Sequence, residues 1–114
     1  MKYKFKKLIK KFGAQRLPED MVSIGKATIT FREAVAKKLG NYAEIYYDDE
    51  SRVLAIKPSD NPGEFTVKKT RKERENLYSI RTKSIEALKI KRGRYKVRWD
   101  PDLGMYLIEY EVVR

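Results

Sequence analysis

Cysteine and histidine are both absent from this chain of 114 residues. Without thiolates or imidazoles the chain cannot form disulfide bonds, and it lacks the commonest metal ligands and the commonest general base. An enzyme would have to work with carboxylates, lysines and tyrosines alone, and their spacing fits no catalytic motif. We therefore predict a protein that is not an enzyme and that carries neither a metal ion nor another cofactor.

Long apolar runs are missing as well, since none approaches the roughly 18 residues that a membrane span needs. The first residues are basic, as in a signal peptide, but no uninterrupted apolar region follows them. These absences predict a cytoplasmic protein. Asparagine and glutamine are scarce beside many lysines, arginines and glutamates, a composition that suits a thermophile.

Charge, by contrast, is abundant and unbalanced. The chain carries 27 Lys and Arg against 16 Asp and Glu, so its formal net charge is +11. Because this excess lies on one small domain, polyanions are the expected partners, with nucleic acid first and an anionic membrane surface second. A charge that serves only solubility stays open as the alternative.

Residues 1–20 form a basic N-terminal segment, of which residues 1–16 contain no acid. Phe5, Leu8, Ile9 and Phe12 recur at helical spacing, so a helix would gather them on one side. Such a helix can lie on a membrane, pack its apolar stripe on the domain, or follow phosphates as an arm. In the last case the secondary contacts are Lys6, Lys7, Lys10 and Lys11.

Residues 21–114 are predicted to form one α+β domain built from two internal repeats, 23–57 and 78–112. Each repeat has a strand, a short helix and a hairpin with an acidic turn, in that order. A basic connector joins the repeats. The short helices are expected at 33–38 and 84–88, and the turns at 48–51 and 100–104.

This order of elements resembles the AbrB/MazE/SpoVT swapped-hairpin family over roughly four-fifths of the chain. The residues that carry the resemblance are Ile29–Arg32, Leu39-Gly40, the hairpin Ala43–Lys57 and, in the second repeat, Leu88–Gly93. Arg32 stands where the family has proline, Ala36 where it often has arginine, and Lys89 where it has glycine, while Gly25-Lys26 lies about two residues earlier than the family's Gly-Arg.

The resemblance implies a small β-barrel-like domain in which two such units interleave their hairpins. With two units on one chain, we expect a monomeric pseudo-dimer or a homodimer. An ordinary α+β sheet stays open as the alternative fold.

The resemblance also implies binding of double-stranded DNA, as in a transcriptional regulator, by basic residues near each first strand and helix start. Arginine can place two parallel hydrogen bonds on a phosphate or a guanine edge, whereas lysine supplies a point charge. Six phosphate contacts would give a salt slope near −5, at about −0.9 per contact. The resemblance points to Lys26, Arg32, Arg81 and Lys83, to which the sequence around Gly93 adds Arg92 and Arg94.

Two other interpretations stay open. The protein can be an antitoxin-like or accessory domain that binds another protein, or a binder of RNA or single strands through aromatic residues in its hairpins. The acidic groups Asp48–Glu50 and Asp100–Asp102 invite a metal site, but aspartate in turns ordinarily bonds the backbone. A nuclease-like set of Asp60, Glu64 and Lys68 has no defensible spacing. The aromatic candidates are Tyr46, Tyr47, Trp99, Tyr106 and Tyr110.

Overall fold

Residues 17–70 and 76–113, together with Lys4 and Lys6, are described by the computed structural model. Lys6 is exposed, whereas Lys7, Lys10 and Lys11 of the predicted arm lie outside the described residues. The helix predicted for the N-terminal segment and much of the basic connector lie outside them too.

The described residues form ten β-strands, one α-helix and one 3-10 helix. No helix among them is long and apolar enough to cross a membrane. In chain order the elements are β1 (Met21–Ile24), β2 (Thr28–Arg32), α1 (Glu33–Leu39), β3 (Tyr42–Asp48), β4 (Val53–Ser59), β5 (Phe65–Thr66), β6 (Lys68–Lys69), β7 (Leu77–Arg81), the 3-10 helix (Lys83–Leu88), β8 (Gly93–Lys96), β9 (Arg98–Asp100) and β10 (Met105–Glu109).

The strands form two five-stranded sheets in which every pair is antiparallel. Sheet A has the order β6-β7-β2-β1-β8, and sheet B has the order β5-β3-β4-β10-β9. Alternate residues of each sheet are buried, for example Ile29 and Phe31 in sheet A and Leu54 and Ile56 in sheet B. Since side chains alternate between the two sides of a strand, one side of each sheet faces the shared core and the other is an outer face.

Helix α1 closes one part of this core and confirms the helix expected there. Val35 and Leu39 are buried, which is the spacing of one helical face. Gly40 ends the helix with φ 79° and ψ −147°, a conformation that glycine alone adopts without strain. In the second repeat the short helix is of the 3-10 type, and Thr82 caps it by accepting a hydrogen bond from the Ser84 N–H at 3.1 Å.

Corresponding strands of the two predicted repeats lie side by side. The strand that precedes each helix pairs with its counterpart, β2 with β7, and the last strand of each hairpin does the same, β4 with β10. Both turns are built alike: Asp48 Oδ1 accepts hydrogen bonds from two backbone N–H groups, and so does Asp100 Oδ1. The pairing is what a duplication would produce, while the duplication itself stays a prediction.

The α+β class is confirmed, but the swapped-hairpin barrel expected from the resemblance is wrong: the described strands form two sheets and close no barrel. The chain passes between the sheets at Val67, between β5 and β6, and at Val97, between β8 and β9. The Val67 N–H donates to Asn41, and the Val97 N–H donates to Asp20. Because each short strand pairs within one sheet only, the hydrogen-bond ladder does not continue around the molecule.

Candidate nucleic-acid interface

The outer face of sheet A carries a row of hydroxyl side chains across its three central strands. Ser23 on β1 lies opposite Thr30 on β2, and Thr30 lies opposite Ser79 on β7. All three are partly exposed, while their neighbours along the strands face the core. We call these three residues the hydroxyl row.

Cationic side chains stand at both ends of this row. Ser79 lies opposite Lys68 on edge strand β6, and Ser23 lies opposite Arg94 on edge strand β8. Both cations are exposed. With neighbouring strands about 4.8 Å apart, the four strand spacings place their Cα atoms about 19 Å from each other.

Two further cations extend this surface along the strands. Arg81 follows Ser79 at the next outward position of β7, and Lys96 follows Arg94 on β8. The outward positions of sheet A that the structure describes include no aspartate or glutamate. We call this surface the basic face; its outward residues are Met21, Ser23, Thr28, Thr30, Arg32, Lys68, Leu77, Ser79, Arg81, Arg94 and Lys96.

The basic face continues at one end of sheet A into a corner formed by loops. The turn between β1 and β2 holds Lys26, which is exposed. The Ala27 carbonyl accepts a hydrogen bond from the Thr82 N–H at 2.8 Å, which ties this turn to the start of the 3-10 helix at Lys83. Gly93 lies opposite Ile24, so Arg92 lies at the same end of the sheet.

Arg32 is placed differently from the other five predicted contacts. Its Nη1 donates a hydrogen bond to the Leu17 carbonyl at 3.3 Å, and its Nε is buried with no hydrogen-bond partner in the described chain. Arg32 lies opposite Leu77, whereas Arg81 lies opposite Thr28, so the antiparallel pairing separates the two arginines by about 14 Å. The structure therefore leaves Arg81 exposed at one end of the basic face, whereas Arg32, at the other end of the same face, is partly buried and bonded to Leu17.

The aromatic residues of the hairpins do not form a platform. Tyr106 and Tyr110 are buried, and burial is the main cause that raises the pKa of each hydroxyl. Trp99 packs edge-on against Tyr106 with ring centroids 4.9 Å apart, and the Lys38 ammonium lies 4.2 Å from the centre of its ring. Exposed rings remain at Tyr46 and Tyr47, which are adjacent on β3 and so lie on opposite sides of it.

In the acidic turns, aspartate side chains accept hydrogen bonds from the backbone. Asp48 Oδ1 accepts from the N–H groups of Glu50 and Ser51, and Asp100 Oδ1 accepts from those of Asp102 and Leu103, all at 3.0–3.1 Å. No group of three or more potential metal ligands was found within the described residues.

Sequence reasoning missed the hydroxyl row and the cations Lys68 and Lys96. The hydroxyl residues carry no charge signal, and their common row depends on the register of three strands that are distant in sequence. Lys68 belongs to a strand of only two residues, which is too short for an alternating pattern to identify. The spacing of Arg94 and Lys96, two apart on one strand, was the available signal for Lys96.

Comparisons of the chain with protein-family models, with curated proteins and with solved structures found no match.

Proposed function

We propose that this protein binds double-stranded DNA through the basic face of sheet A and the corner beside it, the molecular activity of a transcriptional regulator. The observation that carries the proposal is the row Lys68–Ser79–Thr30–Ser23–Arg94, with a cation at each end and hydroxyl groups between. A net charge of +11 adds long-range attraction for a polyanion.

The dimensions of this row suit a duplex. The major groove of B-DNA is about 12 Å wide and is lined on both sides by phosphates. Cations whose Cα atoms stand about 19 Å apart on long, flexible side chains can lean inward and contact phosphates of both strands. Serine and threonine hydroxyls between them donate to phosphate and sugar oxygens, contacts that fix position without reading sequence.

The composition of the basic face favours a duplex over a single strand. Proteins that hold single strands on a sheet stack the bases on aromatic side chains. The described outward positions of sheet A include no aromatic residue, and the exposed Tyr46 and Tyr47 belong to sheet B. Affinity must then come from the backbone of the nucleic acid, which a duplex presents at higher charge density.

Fluorescence anisotropy with a random-sequence duplex over a salt series tests the proposal. The double variant Lys68→Ala/Arg81→Ala should lose about two phosphate contacts, so the salt slope should fall by about 1.8 and the affinity roughly 50-fold at about 0.1 M salt. The matched control, Lys57→Ala/Arg52→Asn, removes the same charge from sheet B and its hairpin turn, and asparagine tolerates the left-handed backbone of Arg52.

Both double variants have a net charge of +9, because each removes two of the +11 charges. Equal losses of affinity in the two would show that only total charge matters and would refute an interface on sheet A. Absence of duplex binding by the unaltered protein at low salt would refute the function itself. Competition with single strands and with duplex RNA then ranks the other ligands.

A further inference from the structure

A small cavity opens at the corner, next to the basic face. It has a volume of about 210 Å³ and lies between the β1–β2 turn, the end of the 3-10 helix and the segment before β8. Three of its lining residues are cationic and one is acidic, so its formal charge is +2. The described residues that line it are Gly25, Lys26, Ile85, Glu86, Lys89, Ile90 and Arg92.

Lys89 lies there in a costly backbone conformation. Its φ and ψ are 52° and 40°, in the left-handed region that residues with a Cβ atom rarely occupy. The surrounding structure holds it, because the Lys89 N–H donates to Glu86 and the Lys89 carbonyl accepts from Val113, at 3.1 and 2.8 Å. Glycine would adopt this conformation freely, and glycine is what ends the other helix, at Gly40.

Gly40 and Lys89 end their helices in different backbone conformations. The φ of 79° and ψ of −147° at Gly40 are open to glycine alone, whereas the left-handed conformation of Lys89 is open to other residues at a cost in free energy, so a lysine can occupy the second helix end. A strained residue that lines a cavity beside two other cations is the arrangement expected of a binding group, because strain of this kind concentrates at functional sites.

Gly25 helps to keep the cavity in shape. A Cβ atom at Gly25 would lie 2.9 Å from Thr28 Oγ1, so a side chain there would force the Thr28 hydroxyl to move. The Gly25 N–H donates to the Thr28 carbonyl at 2.9 Å, which holds the turn closed and places Lys26 at its tip.

We propose that Lys26, Lys89 and Arg92 form a subsite for a single phosphate group, and that Lys89 is one of the groups that bind it. The inference rests on the proposed function, in which the phosphate belongs to the bound nucleic acid. The phosphate can be an internal one of the duplex or a terminal monoester, and both have the same chemistry toward an arginine and two lysines.

The decisive variant is Lys89→Gly, because stability and binding should then change in opposite directions. Relief of the left-handed strain should raise Tm by about 4 °C. Loss of one phosphate contact should lower duplex affinity about 5- to 10-fold at about 0.1 M salt and reduce the salt slope by about 1. A residue with a purely structural role would not produce this divergence.

Arg52→Gly is the matched control. Arg52 is the other charged residue in left-handed conformation among those described, with φ 55°, and it lies in the β3–β4 turn and does not line the cavity. This variant also loses one positive charge and should gain stability in the same way, but its duplex affinity should stay within about two-fold of the unaltered protein.

The outcomes separate the subsite from the function. If the unaltered protein binds duplex and Lys89→Gly binds equally well, the subsite is refuted while the function stands. If the unaltered protein binds no duplex, the function is refuted, and titration with inorganic phosphate decides the subsite. Shifts of the Gly25 and Lys26 amide resonances that vanish in Lys89→Gly would support it, and their absence would overturn it.

The source of the phosphate follows from one duplex prepared with and without 5′-phosphates. If the terminal phosphate strengthens binding by the unaltered protein but not by Lys89→Gly, the subsite takes a duplex end. If it strengthens neither while Lys89→Gly still weakens binding, the subsite takes an internal phosphate.

Discussion

The two sheets bury the same kind of inner face and expose opposite kinds of outer face. Across the outer face of sheet B, Tyr46 lies opposite Ala55, Ala55 opposite Leu107, and Leu107 opposite Arg98. The corresponding row of sheet A has hydroxyl groups in its middle and a cation at each end. Among the described residues, positive charge is therefore not shared evenly between the two outer faces.

Acidic residues add to the difference between the outer faces of the two sheets. On sheet B, Glu44 lies opposite Lys57, and Glu109 lies opposite Val53, so that outer face carries carboxylates as well as cations. On the outer positions of sheet A that the structure describes, the residues that lie opposite the cations in the strand pairing are hydroxyl and apolar ones, although Glu64 shares a groove with Lys68 and Arg81. The alternation of apolar residues determines which side of a strand is buried, but it does not determine which residues occupy the outer side. Of the two sheets, sheet A has cationic and hydroxyl residues there.

One hydrophobic core supports both outer faces, and Phe31→Ala tests this with a large loss of stability. Phe31 belongs to sheet A and is fully buried, so its truncation should lower the free energy of unfolding by about 3–5 kcal/mol. Trp99 is the only tryptophan and belongs to sheet B, so its fluorescence reports unfolding of the opposite sheet. With a single core, urea unfolding followed by Trp99 should shift by the full amount.

Ile108→Val provides the matched measurement from the other side. Ile108 is fully buried on β10 of sheet B, and this smaller deletion should cost about 0.5–1.5 kcal/mol in the same transition. A Trp99 transition that responds to Ile108→Val but not to Phe31→Ala would show that the sheets unfold independently. The two outer faces would then belong to separate units.

Much of the local structure was predictable because short-range chemistry determines it. Gly40 marks the end of α1, and Asp48 and Asp100 mark the turns whose backbone N–H groups they bind. The arrangement of the strands in two sheets was harder to predict from the sequence. The breaks at Val67 and Val97 depend on bonds to Asn41 and Asp20, and nothing in the alternation of these strands indicates a change of sheet.

Part of the candidate site could also be predicted from the sequence. The resemblance pointed to Lys26 and Arg81, and the sequence around Gly93 pointed to Arg92. The structure places all three on the exposed surface. Arg32 and Arg81 were predicted as contacts of the two repeats because each lies near the end of a strand that precedes a helix. The antiparallel pairing of β2 with β7 puts the two arginines at opposite ends of the strand pair, where one of them meets the Leu17 carbonyl.

Arg32→Ala and Arg81→Ala should separate stability from binding at the two ends of the basic face. Loss of the partly buried Arg32 guanidinium leaves the Leu17 carbonyl without its bond and should lower the free energy of unfolding by about 1–3 kcal/mol. Arg81 is exposed, so its removal should change stability by no more than about 0.5 kcal/mol. Duplex affinity should respond in reverse, with a loss of about 5- to 10-fold for Arg81→Ala at about 0.1 M salt.

Urea unfolding and anisotropy on the same two preparations give both quantities. If Arg32→Ala weakens binding as much as Arg81→Ala while leaving stability unchanged, the bond to Leu17 does not hold the guanidinium in solution. The two arginines would then act as the pair that the sequence suggests.

Asp48→Asn should cause a small loss of stability in the β3–β4 turn of sheet B. The hydrogen bond from the Ser51 backbone is the main cause that lowers the pKa of the Asp48 carboxyl below its ordinary 3.8. Since the folded state binds this proton less readily than the unfolded state, the ionised carboxylate stabilises the fold above about pH 3.8, and that stabilisation is lost as the pH falls through the lowered pKa. Urea midpoints of the two proteins should therefore differ at neutral pH and converge in acid, with no loss of duplex affinity in the variant. A difference in midpoint that persists unchanged at the acid end would mean that the neutral amide fails to replace the carboxylate for reasons of geometry, and that the charge of this turn contributes nothing to sheet B.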